Sequence, residues 1–353
     1  MKRRELLRSG AGAWLAGASA SGASGASAGP SGESDAWRDV LVADPHAHPE
    51  FIAGSRQLDP TTPTLGTLAA ARVALSAFAA VGDRVRLRNS GGSPFGDTRS
   101  QLLGPARFVE SARLRAVLRR GDVAALRPAP EIAWGLLAIE GGDALEGRIE
   151  NLDAFFDEGV RMLTLVHDRD NELGFNQRSR ADGPLTPFGV RVVERMNERG
   201  MLVDVAHAGR ETLKSIAEVS KAPVVDSHTS PFLPNEDGRG PRRQRTWQEM
   251  EWVAKTGGVV CTWPLAVSGA QSERATLVHW ADEVVRMKSR LGIEHCGLGT
   301  DGGGSLPGVV RGWDSIASWP ALASAMLRAG LSRDDVAAFL GGNFLRVLGR
   351  ALA

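Results

Sequence analysis

Six apolar stretches of this chain run into a group that can bind a metal or move a proton. Residues 40–43 lead to Asp44-Pro45-His46-Ala47-His48-Pro49, and 132–139 stop at Glu140-Gly141-Gly142. The other four stop at His167, His207, His228 and Asp301. His46 and His48 are two apart, and in extended backbone such residues face the same side, so both imidazoles can turn to one point. An apolar run that ends on Glu140 reads as a buried strand projecting a carboxylate into a cavity. Burying that charge is costly unless it is paired or ligates a metal. Five of the seven histidines lie at these ends. Convergence on one rim accounts for them better than separate structural roles do.

Four of these histidines together with Glu140 are ligands enough for two metal ions if Glu140 bridges them. Imidazole and carboxylate suit zinc, with cobalt or manganese as substitutes. Two metals about 3.5 Å apart can share a water and lower its pKa, giving hydroxide at neutral pH to attack a carbonyl. The chain has no serine nucleophile elbow and no dinucleotide fingerprint. Gly302-Gly303-Gly304 lacks the lysine and spacing of a phosphate cradle. Metal-assisted hydrolysis is the class these residues imply.

Such groups need a frame that brings strand ends together. Apolar strands are expected over 40–43, 71–80, 132–140, 161–167, 201–207, 222–228, 258–263 and 296–301. Most are separated by helices, expected over 108–120, 152–159, 186–199, 210–220, 247–256 and 275–291, with two terminal helices over 313–330 and 332–348. Thr186-Pro187 has the N-cap and first-turn proline of a helix start, and Gly200 stops that helix. Ser332 with Asp335 has capping-box spacing. Residues 81–100, rich in Gly, Ser and Arg, read as a loop. Eight alternating βα units imply an α/β fold, a parallel (β/α)8 barrel with its active site at the C-terminal strand ends.

Composition narrows the class further. Lys and Arg total 42 against 41 Asp and Glu, a net charge of +1, so nothing points to nucleic acid. Cys261 and Cys296 are the two cysteines, both beside apolar runs, and are expected as buried thiols. Residues 1–35 stand apart. Lys2, Arg3, Arg4 and Arg8 precede a short apolar stretch and a Gly/Ala/Ser tract. That is the layout of an export signal, here twin-arginine-like, which would place the protein in the periplasm or cell envelope. The apolar part is too short to span a membrane. Residues 36–353 are then one metallohydrolase domain. Within it, residues 50–130 leave a lid and a homodimer surface equally open.

Several motifs resemble the membrane (renal-type) dipeptidases. They include Ile139-Glu140-Gly141-Gly142, the 159–167 stretch ending on His167 with Asn171 beyond it, Leu185-Thr186-Pro187-Phe188-Gly189, the 200–207 stretch ending on His207, Ser227-His228, and Gly341-Gly342-Asn343-Phe344-Leu345. The resemblance runs from about Asp39 to the C-terminus and is strongest over 132–228. It implies a (β/α)8 barrel with two zinc ions per chain and dipeptides as substrates. It implies that His46 and His48 hold one zinc, that His207 and His228 hold the other, and that Glu140 bridges. His167 would bind substrate and stabilise the oxyanion. Arg243 or a neighbouring arginine would meet the substrate carboxylate. Asp301 would contact the substrate amino group or transfer a proton. This chain has His48 where the family's first motif has Asp, and Gly303 in place of a second Asp after Asp301.

Two other functions fit the same residues. A related amidohydrolase could act on a lactone, an N-acyl amino acid or a phosphoester, which His-x-His on the first strand favours. A catalytically silent metal- or peptide-binding protein of the envelope would be the other outcome of the altered carboxylates.

Overall fold

Each of the eight expected strands forms, and all run parallel. A computed structural model describes residues 37–53, 61–83, 92–231, 243–267 and 274–353. The export layout of residues 1–35, with Arg239 and Arg242, lies outside the described residues. The barrel strands are β1 (Val42–Ala47), β2 (Val73–Val81), β3 (Trp134–Glu140), β4 (Val160–Thr164), β5 (Leu202–Asp204), β6 (Val225–Pro231), β7 (Val259–Thr262) and β8 (Cys296–Leu298). Each pairs in parallel with the next, in sequence order. Past the end of β8 the ring is drawn shut against β1. Asp301 N donates to His46 O at 3.0 Å, and His48 N donates to Gly302 O at 2.7 Å. Two-residue strands at Arg115–Ala116 and Gln244–Arg245 add to β3 and β6.

The period of two along a strand separates two cores. In β3, Trp134, Leu136 and Ala138 join an inner cluster with Leu75, Ala77, Ala79, Met162, Leu202, Val225 and Val259. Phe344, Leu345 and Leu348, from the helix Asn343–Ala351, pack into the same cluster. Leu137 and Ile139 belong instead to an outer cluster that the surrounding helices cover. Glu140 is in phase with the inner set, so an even position at the end of β3 points its carboxylate into the barrel mouth.

The helix Pro187–Arg199 starts as expected. Thr186 Oγ1 accepts from Gly189 N, and Gly200 closes the helix with φ +70°. Ser332 and Asp335 form their capping box. Both cysteines are free and buried. Burial pushes the Cys296 thiol up to about 12 and the Cys261 thiol well above its ordinary value.

Other boundaries differ from the sequence reading. No helix spans 108–120. A helix occupies Pro94–Glu110 instead, entering part of the expected 81–100 loop, and is followed by Arg115–Ala116 as strand. Its N-cap is Ser93, whose Oγ accepts from Gly96 N. The helix expected from 313 begins at Trp319, after a short 3-10 turn. That expected over 332–348 is broken into Arg333–Ala337, a π turn and Asn343–Ala351. Strands β4, β5 and β8 end before their polar residues, so His167, His207 and Asp301 sit just beyond the ladder.

Candidate metal centre

Glu140 lies at the middle of the assembled site. Its Oε1 is 3.3 Å from His46 Nε2, 3.0 Å from His207 Nε2 and 3.6 Å from His228 Nε2. Its Oε2 is 3.3 Å from both His48 Nε2 and His167 Nε2. The chain beyond it needs its two glycines. Gly141 has φ +105°, a region that side chains rarely adopt. At Gly142 a Cβ would meet Leu165 O at 2.7 Å. The close approach lets Gly141 N and Gly142 N bond Thr164 O and Leu165 O, tying the end of β3 to β4.

The histidines form two pairs. His46 Nε2 is 3.2 Å from His48 Nε2, and His207 Nε2 is 3.1 Å from His228 Nε2. The other ring nitrogens assign two tautomers. His48 Nδ1 lies 2.8 Å from Ala79 O, so it carries a proton and donates it. His228 Nδ1 lies 2.8 Å from Ser227 Oγ, whose hydroxyl donates to Asp204 Oδ2 at 2.7 Å. Asp204 also accepts from Thr164 Oγ1 and from the Ala206 and Ser227 amides, which fixes the acceptor. When neutral, both rings therefore turn a bare Nε2 inward, the form that ligates metal.

Charge differs across the site. Burial opposes an imidazolium at His48, yet Asp301 and Glu140 outweigh it and hold its pKa up at about 10. Burial likewise opposes charge at His167, and Glu140 with Asp83 raises its pKa nevertheless. Burial, then Arg243 and the neighbouring histidines, press His207 and His228 well below the usual range. Burial would raise Glu140, but the surrounding histidines, His167 and His46 foremost, hold its carboxyl well below normal. The His48 side thus attracts positive charge. The other pair disfavours it. Such a donor set fits two divalent cations. The groups able to hold an ion include His46 with His48 and Glu140, and Glu140 with His207 and His228. His46, His228 and Asp301 also lie close enough together for one.

The remaining candidates line a cavity of about 310 Å³ over this centre, small among ligand pockets. His167 Nδ1 is 3.0 Å from Asp83 Oδ2, which holds the ring from behind. Asp301 Oδ1 is 3.5 Å from His48 Nε2. Arg243 is buried, its Cζ stands 4.8 Å over the Trp263 ring, and its Nη2 donates to His228 O at 3.2 Å. Arg245, two residues on, does not reach the cavity. It donates to Asp226 Oδ2, Ala208 O and Val205 O at 2.8, 2.6 and 2.7 Å. Of the two described arginines in this loop, Arg243 is the one facing the site. His207, Arg243 and Asp301 all have left-handed backbone, with φ +66°, +71° and +48°. Strain of this kind costs of order 1–3 kcal/mol per residue and collects at functional sites.

The structure gives roles to groups to which the sequence reading assigned none. Asp83, Asp204 and Ser227 orient the candidate histidines, and Arg178 and Trp263 line the cavity. Asp83 follows the apolar run of β2, so the strand-end rule that picked out Glu140 also finds it.

Comparison with known proteins points the same way. The family model described as membrane dipeptidase (Peptidase family M19) matches residues 105–352. Dipeptidase verJ of Clonostachys rogersoniana is 30% identical over 251 residues, covering 70% of this chain and 60% of its own length. Dipeptidase tcpJ of Claviceps purpurea is 29% identical over 262 residues, covering 71% and 59%. Dipeptidase aclJ of Aspergillus oryzae is 30% identical over 218 residues, covering 61% and 50%. The chain thus spans between half and three-fifths of the length of these relatives. Among solved structures, a metallo peptidase from Rhodobacter sphaeroides, liganded with a phosphinate mimic of the dipeptide L-Ala-D-Ala, superposes with a TM-score of 0.75 at 18% identity over 89% of this chain and 99% of that one. The probable dipeptidase PvdM from Pseudomonas aeruginosa gives 0.75 at 19% identity over 90% and 97%. At such identities these structures bear on the fold alone.

Proposed function

The chain belongs to the membrane dipeptidase family (Peptidase family M19), and from that premise we propose that it is an exported metallo-dipeptidase with a binuclear zinc centre. The observation that carries this reading is Glu140, with four imidazole Nε2 atoms besides that of His167 within 3.6 Å of its two oxygens. Glu140 would hold both ions, His46 and His48 one of them, and His207 and His228 the other. A bound metal pair supplies Lewis acidity toward the peptide carbonyl and a water of lowered pKa. His167, held by Asp83, is placed to meet the carbonyl oxygen where negative charge develops. Arg243 offers its guanidinium to the free carboxylate of the dipeptide. Asp301 faces His48 and the cavity, where it can meet the substrate amino group or accept a proton.

The reading includes the export signal of residues 1–35 and a single catalytic domain over 36–353. Among the described residues, no helix is long and apolar enough to cross a membrane. The test is hydrolysis of a dipeptide panel, with L-Ala-D-Ala included, by zinc-loaded protein. Turnover lost to a chelator and restored by zinc is expected. Failure on every dipeptide, with turnover of lactones or N-acyl amino acids, would transfer the site to the related amidohydrolase reading that His48 favours.

A further inference from the structure

We infer that the site selects its dipeptide by the side chain of the carboxylate-bearing residue, and that this side chain is apolar. The inference rests on the dipeptidase reading and names the substrate class of that same site.

The cavity has two unlike walls. One follows β4, where Asp168 pairs with Arg178 at 3.1 Å beside His167. The other follows β7 and β8 and presents Trp263, Leu265, Leu306 and Pro307 alongside Asp301 and Ser305. In a ring of eight strands taken in order, β4 and β8 lie half a turn apart, so the polar and apolar walls face each other across the centre.

The apolar wall is held in place from behind. Trp263 Nε1 donates to Ser230 Oγ at 2.8 Å, and Arg274 donates to the same oxygen. Arg274 is buried and pairs with buried Glu283 at 2.9 Å. A buried ion pair thus fixes the hydroxyl that fixes the indole. The next residues are tied across to the loop after β8. Val310 N donates to Pro264 O at 2.9 Å, and Ala266 N donates to Gly308 O at 3.0 Å. These bonds pair Leu265 with Val309, and Leu265 lines the same cavity as Leu306 and Pro307. Leu265 and Leu306 remain half-buried, leaving apolar surface at the cavity for a ligand to cover.

Arg243 sets which part of the substrate meets that wall. Its guanidinium lies over the Trp263 ring, so a carboxylate paired with it brings its own Cα to the same side. The side chain on that carbon then falls toward Leu265 and Leu306. An apolar side chain there leaves water, whereas a charged one gives up hydration to an apolar surface. The first residue of the dipeptide turns its side chain toward Asp168 and Arg178 while its amino group meets Asp301, so it meets polar groups and carries little of the selection.

The test uses zinc-loaded full-length protein and the dipeptides Ala-Leu, Ala-Phe, Ala-Gly, Ala-Glu and Ala-Lys. Both kcat/KM and the dissociation constant by calorimetry are measured for each. Hydrophobic-pocket discrimination predicts Ala-Leu and Ala-Phe ahead of Ala-Gly, Ala-Glu and Ala-Lys by about 10-fold or more. In Leu306→Ser and Leu265→Ser the ratio of Ala-Leu to Ala-Gly should fall toward unity. Equal values across the panel, or a preference for Ala-Glu or Ala-Lys, would overturn the inference while leaving dipeptide hydrolysis standing. Apolar-ranked binding without turnover of any member would uphold the selectivity and overturn the hydrolytic reading. Neither binding nor turnover would overturn both.

Discussion

Part of the candidate metal cradle lies inside the stretch that matches the family model, and part lies outside it. Glu140, His207 and His228 fall within residues 105–352, while His46 and His48 precede that range. The inner half is braced side chain to side chain, since His228 leans on Ser227 and Ser227 on Asp204. The outer half is braced through the backbone, with His48 on Ala79 O and His46 and Asp301 joined at the barrel seam. The difference also shows in charge. His48 faces two carboxylates, and His207 and His228 face Arg243. The outer half, where this chain carries His48, closes on Glu140 at 3.3 Å. If Glu140 bridges two ions, the half-sites it joins are differently built.

That contrast can be broken directly. If both halves hold an ion, His46→Ala and His228→Ala should each lose about one metal per chain and nearly all turnover. Loss of both ions from either variant would show one cooperative site rather than two halves. Within the family-matched stretch, Arg243 and Arg245 separate substrate binding from folding. Arg245→Met leaves buried Asp226 without its partner and should cost about 3–5 kcal/mol of stability, read as a fall in Tm. Arg243→Met should leave Tm nearly unchanged and raise KM by about 10- to 100-fold through loss of a charged hydrogen bond. Reversal of those two effects would exchange the roles of the arginines.

The bracing residues sharpen the comparison. Asp83→Asn, outside the family match, should lower kcat by about 10- to 100-fold with KM and metal content little changed, because it orients His167 and no ion. Ser227→Ala, inside it, should instead weaken zinc binding by about 10-fold at the His228 half alone, measured by competition with a chelator.

The barrel was legible because buried parallel strands read as unbroken apolar runs, and all eight stood out. Their ends were less so. The chain stays apolar after β4 and β5 leave the ladder, so His167 and His207 looked like strand residues and are in fact just beyond it. The helix Pro94–Glu110 is hidden in the sequence because the Gly, Ser and Arg of 81–100 read as a loop that runs into its first turns. Its start was there to read, since Ser93-Pro94 repeats the N-cap and proline of Thr186-Pro187. The polar strand ends marked the site because they are rare within apolar runs. The choice between Arg243 and Arg245 was not legible. They are the same residue type in one loop, and only their partners in three dimensions, Trp263 for one and Asp226 for the other, distinguish them.

The central claim is that Glu140 joins two metal ions. Elemental analysis of the wild-type protein and Glu140→Ala, purified in parallel without added metal, tests it most directly. The account predicts about two zinc ions per chain in the wild type and a clear loss in the variant. Equal metal content in the two proteins, or no more than one ion in the wild type, would contradict it.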